Sequence, residues 1–254
     1  MPAELRILPL GDSITDGGAK TRAYRYHMHA GLSRMHRPVR WLGSMHGVYD
    51  RRTGRNATSG TPLVDVADWP LEAQHHEGHW GWTSLEVMRG HKKQPQRRSL
   101  NHWLEELASS PPHVVTVHIG TNDLTKYVLR EGRPVSSVSS HVRSILRRLC
   151  RAAPKATVLM ASLIPNCRGS EAALRRRREV EAEYNGRVSR MCERHSLKPP
   201  TACPRMRLQL VNLTAVVACS MLVDGIHPGP EGARNMAAAM VEALQTQLGR
   251  LFDV

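Results

Sequence analysis

A serine, a histidine and a carboxylate are side chains with which a protein can attack an acyl carbon, and three segments of this chain offer them in favourable surroundings. Gly11-Asp12-Ser13-Ile14-Thr15 sets a hydroxyl just past the apolar run Ile7-Leu8-Pro9-Leu10, which reads as a short buried strand. Ligands of an open α/β sheet bind in the crevice beyond the strand carboxyl ends, so Ser13 stands where a nucleophile is useful. A free serine is a poor nucleophile and needs a base within hydrogen-bond reach. The chain has 14 histidines, so a histidine alone says little. His227 differs by its context, Asp224-Gly225-Ile226-His227-Pro228, a turn before a helix with a carboxylate three residues upstream. That spacing lets Asp224 accept the Nδ1 proton of His227 and leaves Nε2 to take the proton of Ser13. The bland alternative is a surface turn, because Asp-Gly and Gly-Pro steps form turns readily.

Acyl transfer also needs donors where negative charge develops. Gly120-Thr121-Asn122-Asp123 follows the run His113–Ile119, which reads as a central strand. Asn122 is positioned to aim its amide into the same crevice, or otherwise to cap its own turn. Gly78-His79-Trp80-Gly81-Trp82 supplies glycines whose N–H groups a substrate approaches closely, or plain loop glycines.

The elements that must hold these residues follow from hydrophobic periodicity. Tyr24, Met28, Leu32 and Met35 recur at helical spacing before Pro38, and Val39–Gly43 reads as a second strand. Residues 45 to 78 show little periodicity and are expected to form part of the site wall. Leu100, Trp103, Leu104, Leu107 and Ala108 make one helical stripe, and Val138, Val142, Ile145, Leu146 and Leu149 make the next. Ala156–Ala161 is a strand, Val180, Tyr184, Val188 and Met191 mark a long helix, and Leu208–Asn212 is the last strand. Ala233, Met236, Ala237, Met240, Val241, Leu244 and Leu248 form the closing helix, with Pro230 at its first turn. Strands alternating with helices predict a parallel sheet covered on both faces. With no repeat and no long linker, residues 1–254 read as one domain. Pro9 conflicts with a central strand, because proline removes a ladder donor, and is expected at the strand end.

Taken together and in this order, Gly-Asp-Ser-Ile-Thr, Glu77-Gly78-His79-Trp80-Gly81-Trp82, Gly-Thr-Asn-Asp and Asp-Gly-Ile-His-Pro resemble the conserved blocks of the SGNH (GDSL-type) hydrolases over residues 7 to 241. The resemblance implies an α/β/α sandwich with a flavodoxin-like parallel five-stranded sheet, and no metal or organic cofactor. It implies Ser13 as nucleophile, His227 as base and Asp224 as its orienter, with the Ser13 N–H, the Gly81 N–H and the Asn122 amide as oxyanion hole. Asp12 and Asp123 look like structural members of their blocks. Trp41-Leu42-Gly43-Ser44 followed by the Glu-Gly-His block is similar to the acetyl xylan esterase branch, where the residue before the glycine is often serine. Here it is Trp80, which would narrow the acyl pocket or offer a sugar a flat face. Trp80, Trp82 and His79 are thus candidate substrate contacts, with Trp69 near them, although core packing is the alternative for Trp82. The implied function is a serine esterase cleaving short acyl, above all acetyl, esters of a carbohydrate or similar polar alcohol. A lysophospholipase or thioesterase, or a catalytically silent polyanion binder, is the alternative.

Composition bounds the rest. Of 254 residues 41% are hydrophobic and 23% charged, as in an ordinary globular protein, and no run approaches the roughly 18 apolar residues of a membrane span. Met1–Arg6 has no signal-peptide layout, so the cytoplasm is the default compartment, with secretion the alternative if a leader is missing. Cys150, Cys167, Cys192, Cys203 and Cys219 are odd in number and widely spaced, and are expected as reduced, mostly buried thiols. His75, His76 and His79 fit no zinc spacing and are expected to line the loop. A net charge of +14 would attract polyanions weakly. The run Arg175–Arg178 reads as the solvated start of a helix, the alternative being a nucleic-acid patch or localisation signal. With aromatics at 4%, a stacking platform for single strands is disfavoured. Oligomeric state is not legible.

Overall fold

The computed structural model describes residues 4–18, 22–36, 38–50, 52–57 and 69–252, the side chains of 248–252 excepted. The side chain of Leu248, assigned above to the closing stripe, and residues 51 and 58–68 of the expected wall loop lie outside that description. In chain order, β1 (Leu5–Gly11) enters a single helical turn, α1 (Ser13–Asp16), followed by α2 (Tyr24–Ser33) and β2 (Val39–Trp41). The stretch read as aperiodic holds a hairpin of β3 (Val48–Asp50) and β4 (Arg55–Ala57) and ends in the two-residue β5 (Glu77–Gly78). Then come α3 (Ser84–Arg89), α4 (Leu100–Glu106), β6 (Val114–His118), the turn α5 (Thr121–Asp123), a π-helical segment at Leu124–Arg130, and α6 (Val135–Ala152). The chain closes with β7 (Thr157–Ala161), α7 (Glu171–Leu197), β8 (Arg207–Val211) and α8 (Pro230–Phe252).

Five strands lie parallel in the order β2-β1-β6-β7-β8, the expected flavodoxin-like arrangement, and β5 adds a short sixth against β1. Successive residues of β1 face opposite sides, as the strand period demands. Leu5 and Ile7 pack with α2 and α8 around Met28, Leu32, Met236 and Met240. Leu8 and Leu10 pack with α4, α6 and α7 around Trp103, Val142, Tyr184 and Val188. The sheet is therefore the middle of three layers.

Pro9 departs from expectation, since it lies in mid-strand opposite Thr116. The odd-numbered residues of β1 turn their polar groups away from β6, as Leu42 N–H donating to Ile7 O and His79 N–H donating to Gly11 O show. On that flank β2 ends opposite Ile7 and β5 starts opposite Leu10. The missing N–H of Pro9 thus faces a gap in the ladder, where it costs no hydrogen bond.

The cysteines overturn the reduced-thiol expectation. Cys150 pairs with Cys203 and Cys167 with Cys219, leaving Cys192 as a buried free thiol. Partners 53 and 52 residues apart leave no local spacing to read; only the tertiary fold brings them together. The Arg175–Arg178 run does lie near the start of α7, whose N-cap Ser170 accepts from Ala173 N–H, and three of its four arginines are exposed.

Candidate active site

The nucleophile segment is set by a tight turn at the carboxyl end of β1. A Cβ on Gly11 would lie 2.3 Å from both the His118 carbonyl and Thr15 Oγ1, so only glycine lets the chain turn there. Asp12 is buried and caps α1 by accepting from Ile14 N–H at 3.0 Å. Burial raises its pKa to about 7 against the opposing Ile14 bond, so it serves the turn rather than supplying a ready charge. Under the same turn lies Arg25, a buried guanidinium that no feature of the sequence singled out. It donates to the carbonyls of Thr15, Asp16, Gly47 and Gln74, tying α1, β3's approach and the segment before β5 together. Burial pulls its pKa down to about 10, while Asp16 opposes the shift. It remains protonated across the neutral range.

Ser13, His227 and Asp224 meet in one line. Ser13 Oγ donates to His227 Nε2 at 2.9 Å, and His227 Nδ1 donates to Asp224 Oδ2 at 2.9 Å. A carboxylate only accepts, so the contact assigns the proton to Nδ1 and leaves Nε2 as the base. Asp224 Oδ1 also accepts from the backbone N–H groups of Ile226 and His227, at 3.1 and 2.9 Å. Partial burial works against the charge of Asp224, but these bonds and the nearby imidazole outweigh it, and its pKa falls to about 2. Its contribution to the loop is therefore in place above the usual carboxylate range and is lost only as pH falls towards 2.

Two contacts from outside the turn hold this loop, and sequence reasoning missed both. Arg168 donates from Nη2 to Asp224 Oδ2 at 2.8 Å and from Nε to the Asp224 carbonyl at 2.6 Å. Next to it, Cys167 N–H donates to Gly225 O, and its sulfur is bonded to Cys219. Both act across a gap of more than fifty residues, beyond the reach of a local motif.

The two loops that carry the expected oxyanion donors, Gly81 and Asn122, are tied to each other. Asn122 donates one amide N–H to the Trp82 carbonyl at 2.9 Å, which orients the amide and leaves its second N–H to aim elsewhere. Beside it, Asp123 accepts from Ser84 N–H at 2.8 Å and from Ser84 Oγ. Gly81 lies between these contacts with φ of 79°, a left-handed conformation that favours glycine. Ser13 is the first residue of α1, so its own N–H has no turn before it to bond to.

The expected aromatic wall is largely corrected. Trp82 is buried, as is His79, which donates to Glu77 at 2.9 Å and packs with Trp82 and Trp103 in one aromatic cluster. Neither side chain reaches the crevice, because both fill the core beneath α3 and α4. Trp69 belongs to the opposite face of the sheet, against Tyr26. Only Trp80 stands at the site, stacked on the His227 ring at 4.7 Å and 16° and backed by Tyr49 at 4.7 Å. His76 is buried and accepts from Gly78 N–H, whereas His75 bonds the Gly43 carbonyl and His46. The three histidines thus point to separate partners, and no lining role is left for His76.

The sequence pattern of the GDSL-like Lipase/Acylhydrolase family matches residues 10–234, a span holding every residue placed in this crevice. The chain belongs to the GDSL-like lipase/acylhydrolase family. It is accordingly a carboxylic ester hydrolase. No curated protein is similar to it in sequence. Among solved structures, a carbohydrate esterase family 3 protein from Talaromyces cellulolyticus is 21% identical, with a TM-score of 0.64 over 98% of this chain and 99% of that one. A family 3 carbohydrate esterase from Clostridium thermocellum is 20% identical, with a TM-score of 0.66 over 98% and 99%. A carbohydrate acetylesterase family member from Sinorhizobium meliloti is 15% identical, with a TM-score of 0.62 over 96% and 99%. At such identities these structures share the fold of this family member.

Proposed function

We propose that this family member removes short acyl groups, above all acetyl, from a carbohydrate or similar polar alcohol through an acyl-enzyme on Ser13. The observation that carries the reading is the continuous hydrogen-bonded line from Ser13 through His227 to Asp224. His227 takes the Ser13 proton as Oγ attacks the ester carbonyl, and returns it to the departing alcohol. Water then enters by the same route, His227 acting again as base, and acetate leaves. Charge on the tetrahedral oxygen falls to the N–H groups of Ser13 and Gly81 and to the free N–H of Asn122. The Trp80 indole on His227 fills space beside Gly81, which favours a small acyl group. Names of structural neighbours that are carbohydrate esterases support the polar alcohol. The two disulfides support an oxidising compartment over the cytoplasmic default.

The test is acetate release from acetylated xylo-oligosaccharides beside a p-nitrophenyl ester series. An optimum at two carbons is expected. A long-chain optimum, or turnover of lysophospholipid in preference, would replace this reading with the lipase alternative.

Two further outcomes follow from the geometry. Asn122→Ala should lower kcat by about 100- to 1,000-fold with little change in KM, since the amide acts on developing charge; a loss under about threefold would remove it from the oxyanion hole. In the pH–rate profile, Asp224 is already ionised above about 2 and adds nothing to the acid limb, which should rise with pH as His227 loses its proton. A limb of slope two would mean that a second acid controls the reaction.

A further inference from the structure

A second cleft lies away from the catalytic crevice, between the carboxyl halves of α6 and α7 and the amino end of β8. It encloses about 500 Å³, within the range usual for small-ligand sites. Its floor is apolar, formed by Leu146, Met191, Met206 and Leu208, and the Cys150–Cys203 bridge closes one side.

The rim is cationic and regular. Arg143, Arg147 and Arg151 recur every four residues along α6, and Arg190, Arg194 and Lys198 do so along and just past α7. Residues four apart on a helix stand one above the other, and like charges there repel. Each helix thus carries a destabilising stripe, and the two stripes border one opening. Arg187, also on the rim, is paired with Glu183. Among the described residues none of the other six forms an ion pair, whereas Arg98, Arg133, Arg168 and Arg176 elsewhere do. Six unneutralised cations around an apolar floor match a ligand with an anionic head and an apolar tail. A purely polar polyanion would leave the floor unused, and a neutral hydrocarbon would leave the charge unanswered.

We propose that this cleft binds a single-chain amphiphilic anion, a fatty-acid carboxylate or an alkyl phosphate, independently of the reaction at Ser13. The head would sit among the arginines and the chain along Met191, Met206 and Leu208. Because the cleft adjoins the amino end of β8 and Ser13 follows the carboxyl end of β1 in the same parallel sheet, the two sites lie at opposite ends of the strands.

Calorimetric titration tests this, using dodecanoate and dodecyl phosphate below their micelle concentrations, with dodecyl maltoside, inorganic phosphate and heparin as controls. One saturable site is expected for at least one anionic amphiphile, at least tenfold tighter than for dodecyl maltoside or phosphate. Tighter dodecanoate binding would point to free fatty acid, and tighter dodecyl phosphate binding to a phospholipid-type head. The exposed double variant Arg147→Glu/Arg190→Glu should weaken binding at least tenfold. Arg40→Glu, on the opposite sheet edge, and Ser13→Ala should not alter it. Circular dichroism and thermal melting check that each variant is folded. Equal binding of dodecyl maltoside, or heparin binding with no gain from an alkyl chain, would overturn the proposal. So would amphiphile binding that survives the double reversal or disappears in Ser13→Ala.

Discussion

Ser13→Ala is expected to abolish hydrolysis of p-nitrophenyl acetate, lowering kcat by about five to six orders of magnitude while the protein keeps its fold. The hydroxyl is the only nucleophile on the line, 2.9 Å from His227 Nε2, and alanine fits the first turn of α1 without strain. His227→Ala should cost about as much, because a serine without its base is left at the reactivity of a free alcohol. The double variant should lose nothing further, since the two residues act as one unit. A fluorophosphonate should label the native protein at Ser13 and leave the alanine variant unmarked. Equal rates for native and Ser13→Ala protein would withdraw the acyl-enzyme. A native protein that neither turns over nor takes the label, yet binds nucleic acid tightly and with strong salt dependence, would instead be the silent polyanion binder.

Asp224→Asn should lower kcat/KM by about 10,000-fold, the size of effect seen when a triad carboxylate becomes an amide. The change is nearly isosteric, so the cost is electronic. An amide presents a donor as well as an acceptor to Nδ1. It favours the tautomer with the proton on Nε2, which cannot accept from Ser13. It also removes the negative charge that steadies the imidazolium and answers Arg168. Rates measured from pH 5 to 10 check this, with part of the loss expected to recover at high pH as hydroxide replaces the lost base. A loss below about tenfold would mean that His227 is oriented by its other neighbours, Trp80 above all.

The legibility of the molecule divides by distance along the chain. The strands and both helical layers follow from apolar runs such as Val114–Val117 and stripes such as Val138–Leu149, whose signals lie within one element, whereas the strand order was implied by the family resemblance alone. The meeting of Ser13, His227 and Asp224 was also readable, because each stands in a short segment at a strand end or before a helix. What escaped was interaction between segments. Arg25 is a charged residue inside an apolar stripe, and only the carbonyls of four distant residues explain its burial. Arg168 reaches Asp224 across 56 residues, and the cysteine pairs are separated almost as widely. Pro9 looked misplaced because its periodicity showed a strand but not the break between two neighbours on one flank. Trp82 and His79 were drawn to the substrate by nearness to Gly81, whereas the turn closed by Trp82 N–H donating to the His79 carbonyl, with Gly81 at positive φ, returns Trp82 to the side of His79. Trp80 took the crevice and its neighbours took the core.

The bond between Ser13 and His227 joins residues 214 positions apart. Hydrolytic competence therefore belongs to the nearly finished chain, and a fragment ending before the Asp224–His227 turn would own a nucleophile with no base however well its sheet assembled. During refolding, helix signals should recover before turnover does, because the longest closure must be made before the first ester is cut. Regained catalysis thereby becomes a clock for the last event in folding, read without any probe attached to the protein.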